Sequence, residues 1–360
     1  MQIGAILLVS RAMGQLCKRF HQPRVIGEML AGIMLGPSLL GWLAPGVAAA
    51  LFPPSSLAAL NALSQVGLLV FMFLVGLELN PRLLKGRGRT ALLISHVSIL
   101  APAVLGVLLA FYFYPRLSNG QVRFTHFALF LAISMSVTAF PVLARILTES
   151  RLLGTKVGAM SIACAAFGDI TAWCLLAIVV ALVRVGYLSG MSFWAPIVGS
   201  LAYMGLAIFL LKPILARLVK WLQRQDAGAG EIVTVCLLAA FGSALITEGL
   251  GIHAVFGAFL IGALMPKDRE FVEPLTERLE GVTLLLLPLF FAATGLRTSI
   301  ALVSGAEMWF YCALAVAVAI IGKFGGAMIA ARASGMGWRE SGAIGVLMNT
   351  RGLMELVVLN

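Results

Sequence analysis

Charge is what this chain has least of. Asp, Glu, Lys and Arg make up 11% of its 360 residues, less than half of the share usual in soluble domains. That scarcity, with 61% hydrophobic residues, excludes a soluble globular protein. The five cysteines (Cys17, Cys164, Cys174, Cys236, Cys312) show neither metal-ligand spacing nor a disulfide framework and read as small apolar residues. There is no nucleophile–base set or metal cluster, which argues against an enzyme, and no cofactor is called for. No cleavable signal peptide is read at the N-terminus. No polar stretch is long enough for a soluble domain. The longest, Pro266 to Glu280, is of mixed charge and reads as a solvated loop or interfacial helix. The net charge of +11 does not indicate nucleic acid, because the basic residues sit in short loops.

What is present is a series of apolar runs, each long enough to cross a hydrocarbon core of about 30 Å. Twelve spans are predicted, near 2–18, 24–42, 57–80, 90–114, 124–148, 154–184, 192–222, 231–249, 252–266, 281–298, 306–332 and 338–360. Alternate loops differ in Lys and Arg, with 19 on one side and 4 on the other (Arg116, Arg123, Arg184 and Arg297). The basic side is therefore expected to be cytoplasmic and the N-terminus outside.

An internal repeat is visible. Span 2 carries Val25-Ile26-Gly27-Glu28-Met29-Leu30-Ala31-Gly32 and span 9 carries Val255-Phe256-Gly257-Ala258-Phe259-Leu260-Ile261-Gly262. Span 3 carries Phe71-Met72 and Gly76-Leu77, and span 10 repeats the separation in Phe290-Phe291 and Gly295-Leu296. Both matches are seven spans apart, and an odd offset inverts one copy across the membrane, as in secondary transporters. The expected division is residues 1–185 as the first repeat, 186–228 as a linker helix and 229–360 as an incomplete second repeat. Span 13 would then be missing, and a truncated chain is expected.

Polar groups inside the spans mark the candidate site. Asp169 stands in an apolar stretch from Gly154 to Val183 with no other acid. A carboxylate there costs several kcal/mol unless compensated, which points to proton or cation carriage. Thr138 in span 5, Lys323 in span 11 and Arg351 in span 12 share its depth by residue count. Pro141 after Thr138 and Gly352 after Arg351 suggest two helix breaks whose free carbonyls face a cavity. Asp169, the Thr138 hydroxyl and those carbonyls would suit a hard cation such as Na⁺ or K⁺. Lys323 is read as charge compensation, or a structural ion pair with Asp169. Arg351 is read as a structural pair with Glu355 at i, i+4, or with Glu78. Glu28 and Glu78 lie near the basic side and are read as entrance or packing charges.

Together these residues resemble the monovalent cation:proton antiporter-2 family. The resemblance rests on Gln22 to Glu28 leading to Gly36-Pro37-Ser38, Phe73 to Leu79, Thr138 to Arg145, Asp169 to Trp173, Gly251 to Phe259, Gly322-Lys323-Phe324 and Asn349 to Leu356. It implies an all-α polytopic membrane protein with a thirteen-helix inverted-repeat antiporter fold, here without its last helix. Two broken helices would cross beside Asp169. It also implies a homodimer in which a core bundle (spans 4–6 and 11–13) moves against a dimerising panel. Many relatives carry an acid, Asn or Gln before the essential aspartate, where this chain has Gly168. The expected function is exchange of a monovalent cation (Na⁺ or K⁺) for protons by competition at Asp169, in the inner (plasma) membrane of a bacterium. With one acid, the simplest cycle is one for one and electroneutral. The rival readings are a K⁺ efflux channel-like module, an organic-anion transporter using Arg351 and Lys323, and a non-transporting sensor.

Overall fold

The computed structural model describes residues 1–84, 86–118, 122–185, 198–199, 201–225, 228–300 and 303–351. Every regular element described is a helix, as expected of a chain in hydrocarbon, where each backbone polar group needs an internal partner. Among the described residues, eight helical stretches are long and apolar enough to cross a membrane, two of them interrupted (Arg24–Leu43 and Phe124–Glu149).

In chain order the helices are α1 (Gln2–Arg19), α2 (Arg24–Leu35), α3 (Leu40–Leu43), α4 (Pro45–Leu51), α5 (Pro54–Glu78), α6 (Gly88–Leu117), α7 (Phe124–Ser136), α8 (Phe140–Glu149) and α9 (Lys156–Val185). They continue with α10 (Leu201–Arg224, with a π turn at Ala207–Leu211), α11 (Ala229–Gly249), α12 (Ala254–Leu264), α13 (Arg269–Leu296), α14 (Gly305–Ala333) and α15 (Trp338–Met348).

Two boundaries depart from the sequence reading. Span 2 stops at Leu35, with Gly36 extended, because Pro37 disfavours helix in the residue before it. Span 10 starts much earlier than expected: the segment read as a loop or interfacial helix is the first part of α13. Phe271, Leu275 and Leu279 recur every four residues along it and are buried with Leu215 and Val219 of α10 and Cys236 of α11, so the charged residues occupy its other faces.

Packing sorts the helices into two bundles. One joins α1, α2, α5, α11, α12 and α13; the other joins α6, α7, α9, α14 and α15. The short α8 packs on α9 of the second bundle and on α2 and α5 of the first. A continuous apolar cluster crosses this junction, including Phe140 of α8 edge-on to Phe259 of α12.

The first bundle holds two very close helix crossings. A Cβ on Gly32 would lie 2.0 Å from the Ala292 carbonyl oxygen, and one on Gly295 2.4 Å from that of Met29. A Cβ on Gly262 would lie 2.0 Å from the Phe73 carbonyl oxygen, and one on Gly76 2.1 Å from that of Phe259. Thus α2 crosses α13 as α12 crosses α5, and only glycine lets the backbones meet. The α5–α12 crossing lies at the basic end and is tied there by Lys267. Its Nζ donates to the carbonyls of Gly76 (2.8 Å), Leu77 (2.8 Å) and Gly262 (2.9 Å), closing the C-terminal ends of two helices at once. Ser38 ties the other crossing, donating to the Thr298 carbonyl (2.7 Å) and accepting from the Ile300 N–H (3.0 Å).

Gly262→Ala is expected to force α5 and α12 apart and to cost roughly 1–3 kcal/mol or more, read as a lower thermal unfolding midpoint in detergent. Gly281→Ala, where an added Cβ meets nothing within 4 Å, should leave the midpoint unchanged. Lys267→Met should lower it as well, by about 1–3 kcal/mol, since three helix-end carbonyls lose their donor.

Candidate functional site

The site forms where two helices stop inside the second bundle. α7 ends at Ser136, residues 137–139 are extended, and α8 begins at Phe140. Pro141 falls in the first turn of α8, where its missing N–H would have had no intrahelical partner. The proline therefore starts the second half-helix rather than kinking a continuous one. α15 stops at Met348 with Asn349 as its cap. Gly352 and Glu355, read as a helix break and an ion-pair partner, lie outside the described residues.

The segment between α7 and α8 bonds to the segment that follows α15. The Ala139 N–H donates to the Thr350 carbonyl (3.1 Å), and the Thr138 hydroxyl donates a long bond to the Met348 carbonyl (3.4 Å). A donating hydroxyl keeps its oxygen lone pairs available to a cation. The C-terminal carbonyls of α7 are met by two cations. Lys323 Nζ donates to the Ser136 carbonyl. Arg351 donates to the Met135 carbonyl (3.1 Å) and to the Ala319 carbonyl of α14 (2.8 Å). These positive groups sit at the negative end of a half-helix dipole, where a cation is favoured.

Close packing brings Lys323 there. Gly322 lies against the backbone of Pro102 in α6, where an added Cβ would meet Pro102 Cα at 2.8 Å, and Gly326 lies against Val97 and Ala101. Lys323 is fully buried as a result. Glu78, read as a second possible partner for Arg351, instead sits exposed at the end of α5 and enters no ion pair among the described residues.

Asp169 lies on α9, which packs against α7, α8 and α15. It is 2% exposed, and neither carboxylate oxygen has a hydrogen-bond partner among the described residues. It stands 13 residues into α9, about 20 Å along the helix. A carboxylate so placed and unbonded needs a proton or a bound cation to be tolerated. The neighbouring Gly168 faces Ser95 of α6, whose Oγ would lie 3.2 Å from an added Cβ and is itself buried and unbonded.

Other polar atoms escaped the sequence reading. Asn349 Oδ1 and Ser134 Oγ are buried without partners among the described residues, and the Ser136 hydroxyl spans from α7 to the Ile99 carbonyl of α6 (2.8 Å). Serine and asparagine are common in apolar helices, so nothing in their spacing marks them. Toward the basic end, Glu28 is 5% exposed and pairs with Arg145 at 3.4 Å. Arg145 also pairs with Glu149, at i, i+4 and 2.8 Å.

This architecture has known counterparts. Residues 4–360 match the sodium/hydrogen exchanger, transmembrane family. The chain is 42% identical to the Na⁺/H⁺ antiporter NhaS4 of Synechocystis, covering 99% of this chain and 87% of that protein. It is 39% identical to cation/H⁺ antiporter 18 of Arabidopsis thaliana over 100% of this chain and 44% of that protein. It is 34% identical to K⁺/H⁺ antiporter 1 of Saccharomyces cerevisiae over 99% of this chain and 42% of that protein. It thus spans less than half the length of the plant and yeast proteins. The fold is that of the sodium proton antiporter MjNhaP1 from Methanocaldococcus jannaschii, with a TM-score of 0.65 over 99% of this chain and 85% of that one, at 15% identity. By sequence over its whole length and by fold, the chain belongs to the sodium/hydrogen exchanger family of integral membrane cation/proton antiporters.

Proposed function

We propose that this chain exchanges a monovalent cation, Na⁺ or K⁺, for protons by competition at Asp169 with alternating access. The observation that carries this reading is the buried Asp169 carboxylate with neither oxygen hydrogen-bonded among the described residues. Such a group holds a proton or a cation, and each excludes the other. The Thr138 hydroxyl and the carbonyls of the two interruptions supply oxygen ligands of the kind a hard cation prefers. Lys323 and Arg351 keep the broken end of α7 neutral, which leaves the carboxylate as the negative charge of the site. Both are engaged with helix carbonyls, which argues against an organic anion as the cargo.

Relatives described as Na⁺/H⁺ and K⁺/H⁺ antiporters support the choice of ions. The paired glycine crossings, α2 on α13 and α12 on α5, support an inverted repeat, with residues 1–185 answering 229–360. In this reading the second bundle with α8 moves and the first is the fixed panel through which two copies associate. The basic side faces the cytoplasm and the N-terminus faces outside. With Gly168 in place of a second acid, each cycle moves one cation against one proton.

The test is reconstitution in sealed vesicles with cation-driven proton movement as the readout. Asp169→Asn should abolish exchange, and exchange that survives in this variant overturns the proposal. In the native chain the KM for the cation should rise about tenfold per unit of acidification once protons dominate the site, at unchanged maximal rate, because the two ions compete for one carboxylate. One-for-one stoichiometry predicts that the rate does not respond to a potential imposed with a K⁺ ionophore while Na⁺ is the driving cation. A potential-dependent rate would mean that a second group, Lys323 foremost, also releases a proton.

A further inference from the structure

α8 belongs to both bundles, and its polar contacts fall on one edge of α2. α2 opens after Pro23 with no side-chain cap of its own, so its first N–H groups have no acceptor within the helix. Glu149, at the end of α8, supplies one from outside, with Oε2 accepting from the Arg24 N–H at 2.8 Å. The same Glu149 holds Arg145 Nε at 2.8 Å, and Arg145 Nη2 reaches back to Glu28 of α2 at 3.4 Å. The result is a closed circuit: α2 backbone to Glu149, Glu149 to Arg145, Arg145 to Glu28, and Glu28 to α2. Beside it lies a cavity of about 310 Å³ walled by Ser10, Arg11, Arg24, Glu28 and Arg145 among others.

Each link in this circuit crosses from α8 to α2 or holds a residue that does. If α8 moves away from α2, Glu28, 5% exposed, loses its cation, and the start of α2 loses its acceptor. The first loss is costly because the Glu28 carboxylate is buried; the second is smaller because the Arg24 N–H bond is exposed to solvent. The cavity lets water reach the carboxylate as the pair parts, which makes the separation reversible.

We propose that Glu28, Arg145 and Glu149 form a latch that holds the basic end of the transport path shut, and that its release is a step of each exchange cycle. These are positioning residues, distinct from the ion site at Asp169, and the proposal rests on the alternating-access reading above. The latch holds one access state, so breaking it shifts the balance of states without removing an ion ligand.

The experiment is deuterium exchange by mass spectrometry on the full chain in lipid, paired with vesicle flux, for Glu28→Gln, Arg145→Gln and the double variant. Each single change should raise amide exchange over residues 24–28 and 142–149 about tenfold, and the double variant should add little to either single change, because both cut the same link. Uptake in α11 and α12 should not change, which separates release from unfolding. Glu149→Gln, whose amide oxygen still accepts from the Arg24 N–H, should show the smaller rise. Unchanged uptake in the single variants, or effects that multiply to about a hundredfold in the double, would overturn the latch. The exchange readout does not require ion flux. A latch signature without flux in the native chain would therefore sink the antiport reading alone, and flux without the signature would sink the latch alone.

Discussion

An interrupted helix in hydrocarbon exposes backbone groups that no solvent will satisfy, and the second bundle is arranged around meeting that demand. The end of α7 presents carbonyls at Met135 and Ser136, answered by Arg351 and Lys323. The extended residues before α8 present an N–H at Ala139, answered by the Thr350 carbonyl of the other interruption. Neither break could stand alone at that depth. The break after α7 and the end of α15 therefore satisfy each other, and the buried Lys323 and half-buried Arg351 answer the carbonyls that the end of α7 exposes. Asp169 is the exception to this accounting. Its two carboxylate oxygens have no hydrogen-bond partner among the described residues, and unlike the unbonded hydroxyl and amide oxygens it can carry a full charge, which is why it reads as the place for a mobile ion rather than as part of the scaffold.

The first bundle solves a different problem. Helices that slide against one another cannot also serve as a firm support, and apolar side chains alone hold helices weakly where the surrounding lipid is equally apolar. Glycine at the α2–α13 and α5–α12 crossings brings backbones into contact, and polar ties at each crossing, Ser38 at one and Lys267 at the other, hold the helix ends. Where the bundles meet, the contact is mostly apolar and carried by α8, as in the Phe140–Phe259 ring pair, with the Glu28–Arg145–Glu149 circuit at its edge. An apolar surface permits sliding because it has no preferred register, and a few ion pairs at the rim can then favour one position over another.

Much of this was legible before any coordinates. The apolar runs, the Lys and Arg asymmetry and the lone Asp169 follow from the cost of charge in a bilayer, which acts on every residue regardless of fold. The glycine motifs of spans 2, 3, 9 and 10 were recognisable as pairs because close backbone contact admits one residue type. Less legible was α13, whose first turns read as a loop or an interfacial helix because charged residues outnumber the apolar ones there. Only the buried stripe of Phe271, Leu275 and Leu279 explains why it is helical. The carbonyl partners of Arg351 were not legible either. Sequence spacing points to acids one turn away, and Glu355 lies outside the described residues, whereas the contacts described for the guanidinium are the Met135 carbonyl, which is open because α7 stops at Ser136, and the Ala319 carbonyl of α14.

By itself, then, the sequence determined that the chain crosses a membrane many times, which depths carry polar groups and where helices are interrupted, because these depend on local composition and on proline and glycine chemistry. The tertiary structure decided which partner each polar group takes. It set Lys323 and Arg351 on the end of α7, Thr138 against Met348, Glu28 against Arg145, and left Asp169 bonded to none of the described residues. Those pairings join residues that lie up to 216 positions apart, and they arise from how crossing helices meet in a medium that offers buried groups no other partner.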